Sequence, residues 1–195
     1  KAESIACHMG QLDKINALFD EIKQRHGRLD ILVNNAATNP HFGEMSSADE
    51  GAWDKTFEVN VKGPFFMIQR AAALMTASGG GAIVNVASIN GVRPAPMQGI
   101  YSITKAAVIS MTKAYAKELA RHKIRVNALL PGLTETKFAG ALFTNDAIYK
   151  YALQGIPLNR HAQPDEMAGA VLYLVSDAAS FTTGTYIVCD GGSLA

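Results

Sequence analysis

The sequence predicts an α/β domain, a parallel β-sheet with helices on both faces. Three observations carry that expectation. Short apolar runs rich in Val, Ile and Leu alternate with longer stretches of helical periodicity. The short runs are apolar at consecutive positions, so both of their faces are buried, as in parallel sheets. Each of these runs also gives way to a small-residue or polar cluster, where the strands of such a sheet feed ligand-binding loops along one edge.

Taken in order, Ile15, Leu18, Phe19 and Ile22 recur at helical spacing, and His26-Gly27 stops that helix with a C-terminal glycine. Leu29 to Val33 is too short for a helix and reads as a strand running into Asn34-Asn35-Ala36-Ala37. A polar loop follows to about Asp49. From Trp53 to Met75 the apolar positions Phe57, Val61, Phe65, Ile68, Ala72 and Met75 predict one long helix. Gly79-Gly80-Gly81 breaks it. Ala82 to Ala87 is the next strand, leading into Ser88, and Tyr101 to His122 the next helix. Ile124 to Leu130 is a third strand, ended by Pro131-Gly132. Leu133 to Leu158 reads as a mobile segment with aromatics Phe138, Phe143, Tyr149 and Tyr151, either a lid or helical packing against the sheet. Pro164 opens a helix to Val175, at a position where proline is well tolerated, and Thr185 to Val188 is the last strand before Asp190-Gly191-Gly192.

Composition narrows the function classes. The chain has 195 residues, 48% hydrophobic and 18% charged, enough for one sizeable core, so residues 1–195 are read as a single domain. A formal charge of +1 without basic runs argues against nucleic-acid binding. No apolar stretch reaches membrane-spanning length. Cys7 and Cys189 lie far apart in sequence and form no CxxC pair, which fits reduced thiols and a cytoplasmic location. The five histidines lack metal-ligand spacing, so no metal is expected. The final Ser-Leu-Ala is not the Ser-Lys-Leu peroxisomal address.

The chemistry concentrates in Tyr101-Ser-Ile-Thr-Lys105, with Ser88 upstream. Residues four apart share a helix face, so ammonium and phenol are neighbours. A tyrosine titrates near pH ~10 and is a weak acid-base catalyst unless its phenolate is stabilised, which a nearby cation does. Ser88 can hold the same substrate oxygen. Asn60 precedes Pro64 by four residues, and proline has no N–H to give the Asn60 carbonyl. That carbonyl is expected to accept from a water near Lys105. Taken singly, each residue also has a plain structural reading: a YxxxK pair on a helix surface, a loop serine, a helix kink, an ordinary Pro-Gly turn.

Together, Asn34-Asn35-Ala36-Ala37, Asn60, Ser88, Tyr101-x-x-x-Lys105, Pro131-Gly132-Leu133-Thr134-Glu135-Thr136 and Asp190-Gly191-Gly192 resemble the classical short-chain dehydrogenase/reductase family, over roughly Ile5 to Gly192. Within it, Asn35 to Gly43 is similar to the dehydrogenase/reductase member 4 group of NADPH-dependent carbonyl and retinal reductases. The resemblance implies a Rossmann-like fold and hydride transfer between NAD(P)(H) and a small carbonyl or secondary alcohol, with NADP slightly favoured over NAD. It implies Tyr101 as the acid-base residue, Ser88 and Tyr101 as substrate-binding, Lys105 as tuning Tyr101 and holding the nicotinamide ribose, and Asn60 as supporting a water relay. It places Asn34, Ala36, Pro131, Gly132, Thr134 and Thr136 at the cofactor. Family members form homodimers or homotetramers through the helices corresponding to Trp53–Met75 and Tyr101–His122, so one of those states is expected. Phe138, Leu142 and Phe143 are expected to line an apolar substrate pocket.

The family's glycine-rich cofactor turn has no counterpart here. By comparison, the first two β-α units are expected to be absent, leaving Ser4 to His8 as a strand without a neighbour and Leu29 to Val33 with a bare edge. Cys7-His8-Met9 stands where the family often has an aspartate facing adenine. Rival readings are a noncatalytic truncated fragment or oligomerisation scaffold, an epimerase or dehydratase of the extended branch, and a divergent enoyl reductase. The last would space its tyrosine and lysine more widely than four.

Overall fold

In the computed structural model, residues 2–136, 140 and 146–195 are described, without the side chains of 146–148. Four parallel strands form one sheet in the order β1-β2-β3-β4, being β1 (Ile31–Asn34), β2 (Gly81–Val86), β3 (Ile124–Pro131) and β4 (Tyr186–Cys189). Ile31 pairs with Ala82, Gly81 with Ile124 and Ala128 with Tyr186, so every strand delivers its carboxyl end to the same edge. The fold is Rossmann-like.

Six helices accompany the strands among the described residues: α1 (Leu12–His26), α2 (Glu50–Phe57), α3 (Gly63–Ala77), α4 (Gly99–Leu119), α5 (Asp146–Gln154) and α6 (Asp165–Val175). One face of the sheet takes α1, α3 and α4, where Ile15, Phe19, Ile68 and Met75 pack against Leu32, Ile83, Ile124 and Val126. Val108 and Ile109 of α4 meet Ala128 and Leu130 farther along the same face. On the opposite face, Leu174 of α6 packs on Val84 and Leu129. This alternation follows from the pleat, which sends successive side chains to opposite faces. It explains why β2 and β3 are buried almost throughout.

β1 is different. Leu32 and Asn34 are buried, but Ile31 is 45% and Val33 40% exposed, so its second face and its outer edge lie open. Residues 2–8 carry no regular structure, which corrects the strand expected over Ser4 to His8. An extended segment needs a hydrogen-bonding neighbour, and no described strand lies beside this one.

The helix expected from Trp53 to Met75 is also corrected. It is two α-helices joined by a π-turn over Glu58–Lys62, in which the Gly63 N–H donates to the Glu58 carbonyl. Pro64, in the first turn of α3, cannot donate to Asn60, so the α-ladder breaks there and widens. Gly63 is needed beside it, because a Cβ there would stand 2.5 Å from the Met9 carbonyl oxygen. The remaining boundaries differ from expectation by a few residues. Within Leu133 to Leu158, for which a lid and helical packing were both expected readings, the described part contains helix α5. Phe138, Phe143 and Leu142 lie outside the described residues.

Candidate active site

A cavity of about 1200 Å³ opens at the carboxyl edge of the sheet. Four segments wall it: Asn35 to Ala37 after β1, Val86 to Asn90 at the end of β2, Tyr101 and Lys105 from α4, and Pro131 to Thr134 with Thr136 at the end of β3. Ala152, Gly155 and Ile156 close it from the side of α5, and Met167 and Val171 from α6. Arg93 and Lys105 are the charged side chains in the described lining, with no carboxylate among them.

Ser88 leaves β2 in extended conformation and caps a short 3₁₀ turn, its Oγ accepting from the Asn90 N–H at 3.1 Å. Asn90 Nδ2 donates to Gln98 Oε1 at 3.2 Å, just before α4. The turn lies directly on α4: a Cβ on Gly91 would meet the Lys105 carbonyl carbon at 2.7 Å. Ser88 and α4 are therefore held at fixed separation by backbone contact. The Ser88 side chain hydrogen-bonds Tyr101, and both residues are buried.

Lys105 is 3% exposed and donates from Nζ to the Val86 carbonyl at 2.7 Å. Its ammonium stands 5.4 Å from the centroid of the Tyr101 ring. Burial brings Lys105 down to about 8. Burial also pushes Tyr101 up to about 12, the hydrogen bond from Ser88 acting in the opposite direction. This corrects the expectation that the lysine makes the phenol acidic. Desolvation of the buried phenol is the larger cause, and the Ser88 hydrogen bond offsets only part of it.

A pH dependence of stability follows, with its sign set by which state binds more protons. For Lys105 the unfolded chain holds its proton up to 10.5 and the folded chain only to about 8, so stability rises with pH between those values. For Tyr101 the folded chain holds its proton to about 12 rather than 10, so stability falls with pH from 10 to 12. Urea midpoints should climb above pH 8 by an amount on the order of 3 kcal/mol, then turn over. Lys105→Met should remove most of the climb. A midpoint that climbs as steeply in that variant would show the titrating group to be another residue.

Asn60 does not line the cavity. It is 1% exposed, and its side chain joins two of the walls from behind: Oδ1 accepts from the Thr38 N–H at 2.8 Å, and Nδ2 donates to the Thr38 carbonyl at 2.9 Å. The same Nδ2 lies 3.1 Å from Thr104 Oγ1, which donates to the Tyr101 carbonyl. Asn34 is also absent from the lining. Strand alternation turns it into the sheet, where Nδ2 donates to Asn85 Oδ1 at 2.9 Å, while its own Oδ1 is buried without a partner. Its neighbours Asn35 and Ala36 face the cavity instead.

Pro131, Gly132, Thr134 and Thr136 all line the cavity. Gly132 permits the close passage of Asp190, whose Cα would sit 2.7 Å from a Cβ there. The Asp190 carboxylate accepts from the Gly192 and Leu194 N–H groups, which fixes the terminal Asp190-Gly191-Gly192 turn against this loop. Farther out, Thr134 bridges to Ala162, and His161 links Glu135 to Tyr149 of α5.

Sequence reasoning did not single out Thr38, Thr104, Asn85, Thr112 or Arg93. Thr104 follows Tyr101 by three residues and so shares its side of the helix, which was the one signal in the sequence that it could act on the tyrosine. Among the described residues there is no group of His, Cys, Asp and Glu that could hold a metal, and no helix long and apolar enough to cross a membrane.

Comparison with known proteins matches this arrangement over nearly the whole chain. A family model described as enoyl-(acyl carrier protein) reductase matches residues 1–193. Dehydrogenase/reductase SDR family member 4 of Oryctolagus cuniculus is 40% identical over 187 residues, covering 96% of this chain and 72% of the rabbit protein. The gluconate 5-dehydrogenase of Burkholderia cenocepacia J2315, solved with NADP and tartrate, superposes with a TM-score of 0.92 at 33% identity, covering 95% of this chain and 72% of that one. An NAD+-bound xylitol dehydrogenase gives 0.92 at 27% identity, covering 98% and 79%. With its parallel sheet, its Tyr101–Lys105 helix and these relatives, the chain belongs to the short-chain dehydrogenase/reductase family.

Proposed function

We propose that the chain catalyses reversible hydride transfer between NAD(P)(H) and a carbonyl/secondary alcohol pair, with Tyr101 handling the hydroxyl proton. The observation that carries this reading is the hydrogen bond between Ser88 and Tyr101, beside the buried Lys105, on the wall of a large cavity. The lining suits the nicotinamide part of a dinucleotide in chemistry: small residues at Ala36, Ala37 and Gly132, hydroxyls at Thr134 and Thr136, and no carboxylate in the described lining to repel phosphate.

When bound, the nicotinamide supplies or accepts the hydride. The chain's own residues do the rest. Ser88 Oγ and the Tyr101 hydroxyl converge on one point, where they hold the substrate oxygen. In reduction Tyr101 gives its proton to the oxygen as negative charge develops, and in oxidation it takes that proton back. Lys105, cationic below about pH 8, has one N–H engaged by Val86 and others left for a ribose hydroxyl and for the field at Tyr101. Asn60 acts as a positioning residue through Thr104, and its place within the π-turn supports the water relay. Asn35 and Ala36 border the adenosine side, with Pro131, Gly132, Thr134 and Thr136 on the nicotinamide side. Both NADP and NAD+ occur among the solved relatives. The resemblance to member 4 proteins favours NADP.

The four-residue spacing of Tyr101 and Lys105 supports a carbonyl rather than an enoyl substrate, although the matching family model is described as an enoyl reductase. A homodimer or homotetramer through α2, α3 and α4 goes with this reading. Exposure of Trp53 and Phe65 on those helices supports it.

A second reading, a noncatalytic fragment or oligomerisation scaffold, draws on the bare edge and face of β1. The two separate in one assay. The purified chain is incubated with NADPH or NADH and a panel of small ketones and aldehydes, and nicotinamide absorbance is followed. Carbonyl-dependent oxidation is expected, and its absence across the panel with both cofactors overturns the catalytic reading.

A further inference from the structure

Arg93 follows Ser88 by five residues on the loop that Gly91 pins to the Lys105 backbone. Its guanidinium is fixed in turn: Nη2 donates to the Ser193 carbonyl, across 100 residues of sequence. Arg93 and Ser193 both line the cavity on the side of Ser88, Asn90 and Tyr101. A guanidinium has five N–H donors and no acceptor. The Ser193 contact engages one nitrogen, and no described carboxylate pairs with Arg93.

Lys105, the other cation of the lining, is committed to Val86 and lies beneath Tyr101. The rest of the described cavity lining is apolar or neutral, with Ile89, Ala95 and Ile156 in it. A permanently charged, geometrically fixed donor set without a counter-ion, at the edge of a partly apolar cavity, recognises anions well. Arg93 is exposed at the cavity rim, so the match of a carboxylate to its planar fork, rather than burial, carries the recognition.

We infer that Arg93 is a substrate-specificity residue, and that the preferred substrates are oxo acids or hydroxy acids whose carboxylate is bound by its guanidinium while Ser88 and Tyr101 hold the reacting oxygen. This rests on the carbonyl/alcohol reading of the site and deepens it by naming the substrate class. Nothing is added to the chemistry. The carboxylate is bound and released unchanged, and only its placement by Arg93 affects the reacting carbon.

The test compares oxo acids with their methyl esters, using the chain as it stands and its Arg93→Gln variant. For pyruvate, acetoacetate and levulinate, kcat/KM should exceed that of the matching ester in the wild type. Arg93→Gln should lower the acid-to-ester ratio by tens-fold, the size of a lost charge-assisted contact. Arg93→Lys should restore part of it. A purely structural role for the Ser193 tether would lower acids and esters equally and leave the ratio unchanged, which would overturn the inference. A binding arm keeps the outcome separate from catalysis: succinate and dimethyl succinate are titrated calorimetrically into both proteins. Arg93-dependent binding of succinate alone supports the inference even if no turnover is seen. Equal binding by both proteins, or none by the wild type, overturns it. Turnover of esters with an unchanged ratio sinks the Arg93 assignment while sparing the carbonyl reading.

Discussion

Replacing Tyr101 with phenylalanine should lower kcat for carbonyl reduction by about 10²- to 10⁴-fold, the usual share of a positioned general acid. KM should change little, because the substrate oxygen keeps Ser88. The change removes one hydroxyl from a buried site and leaves the ring, so the α4 packing around Ile100 and Val108 remains intact. Urea midpoints should therefore stay within about 1 kcal/mol of the wild type, the value of a typical hydrogen bond. Steady-state kinetics and denaturation on the same preparation separate loss of chemistry from loss of fold. A phenylalanine variant retaining a tenth or more of wild-type turnover would remove Tyr101 from the proton transfer.

The largest effect on stability is expected from Asn85→Leu. Asn85 is fully buried in β2 and links the sheet to α4: Oδ1 accepts from Asn34, and Nδ2 donates to Thr112 Oγ1 at 2.9 Å. Leucine fills the same space but strands the Asn34 amide, whose Oδ1 already lacks a partner. Each stranded buried group costs ~1–3 kcal/mol, so a loss of about 3 kcal/mol is expected in urea unfolding. Thr112→Val should cost less, since it leaves only Asn85 Nδ2 without its partner while Asn34 keeps its bond to Asn85 Oδ1. Adding Asn34→Leu to Asn85→Leu should recover part of the loss by removing the orphaned group, and a further loss in the double variant would contradict this account.

The sequence was most legible where one physical rule acted alone. β2 and β3 declared themselves because both faces are covered, leaving no polar alternation to confuse the run. Ser88, Tyr101, Lys105 and the Pro131 to Thr136 loop were legible because strand ends and helix spacing determine what shares an edge. Where tertiary context decided, the reading went astray. The apolar pattern from Trp53 to Met75 reads as one helix, since a π-turn keeps residues helical and changes only their phase. Asn34 sits in a motif associated with the cofactor, yet the pleat turns it into the sheet. The titration of Tyr101 depends on how much water reaches it, which a spacing cannot tell.

The extra residue of the π-turn has a consequence for how this chain tolerates insertions and deletions. Each residue of an α-helix advances about 100° around the axis. Upstream of the turn the helix is aligned on Asn60 and its bonds to Thr38 and Thr104, and downstream on the stripe of Ile68, Ala71 and Met75 beneath α1. The wide turn takes up one residue more than an α-turn over about the same rotation, so removing one residue between Glu58 and Lys62 would restore a regular ladder and leave the facing of both sets nearly unchanged. Proline at 64 and the widened turn thus let core and cavity wall keep their own alignments along one rod, and a single-codon loss in that turn is better tolerated than one in the regular turns on either side.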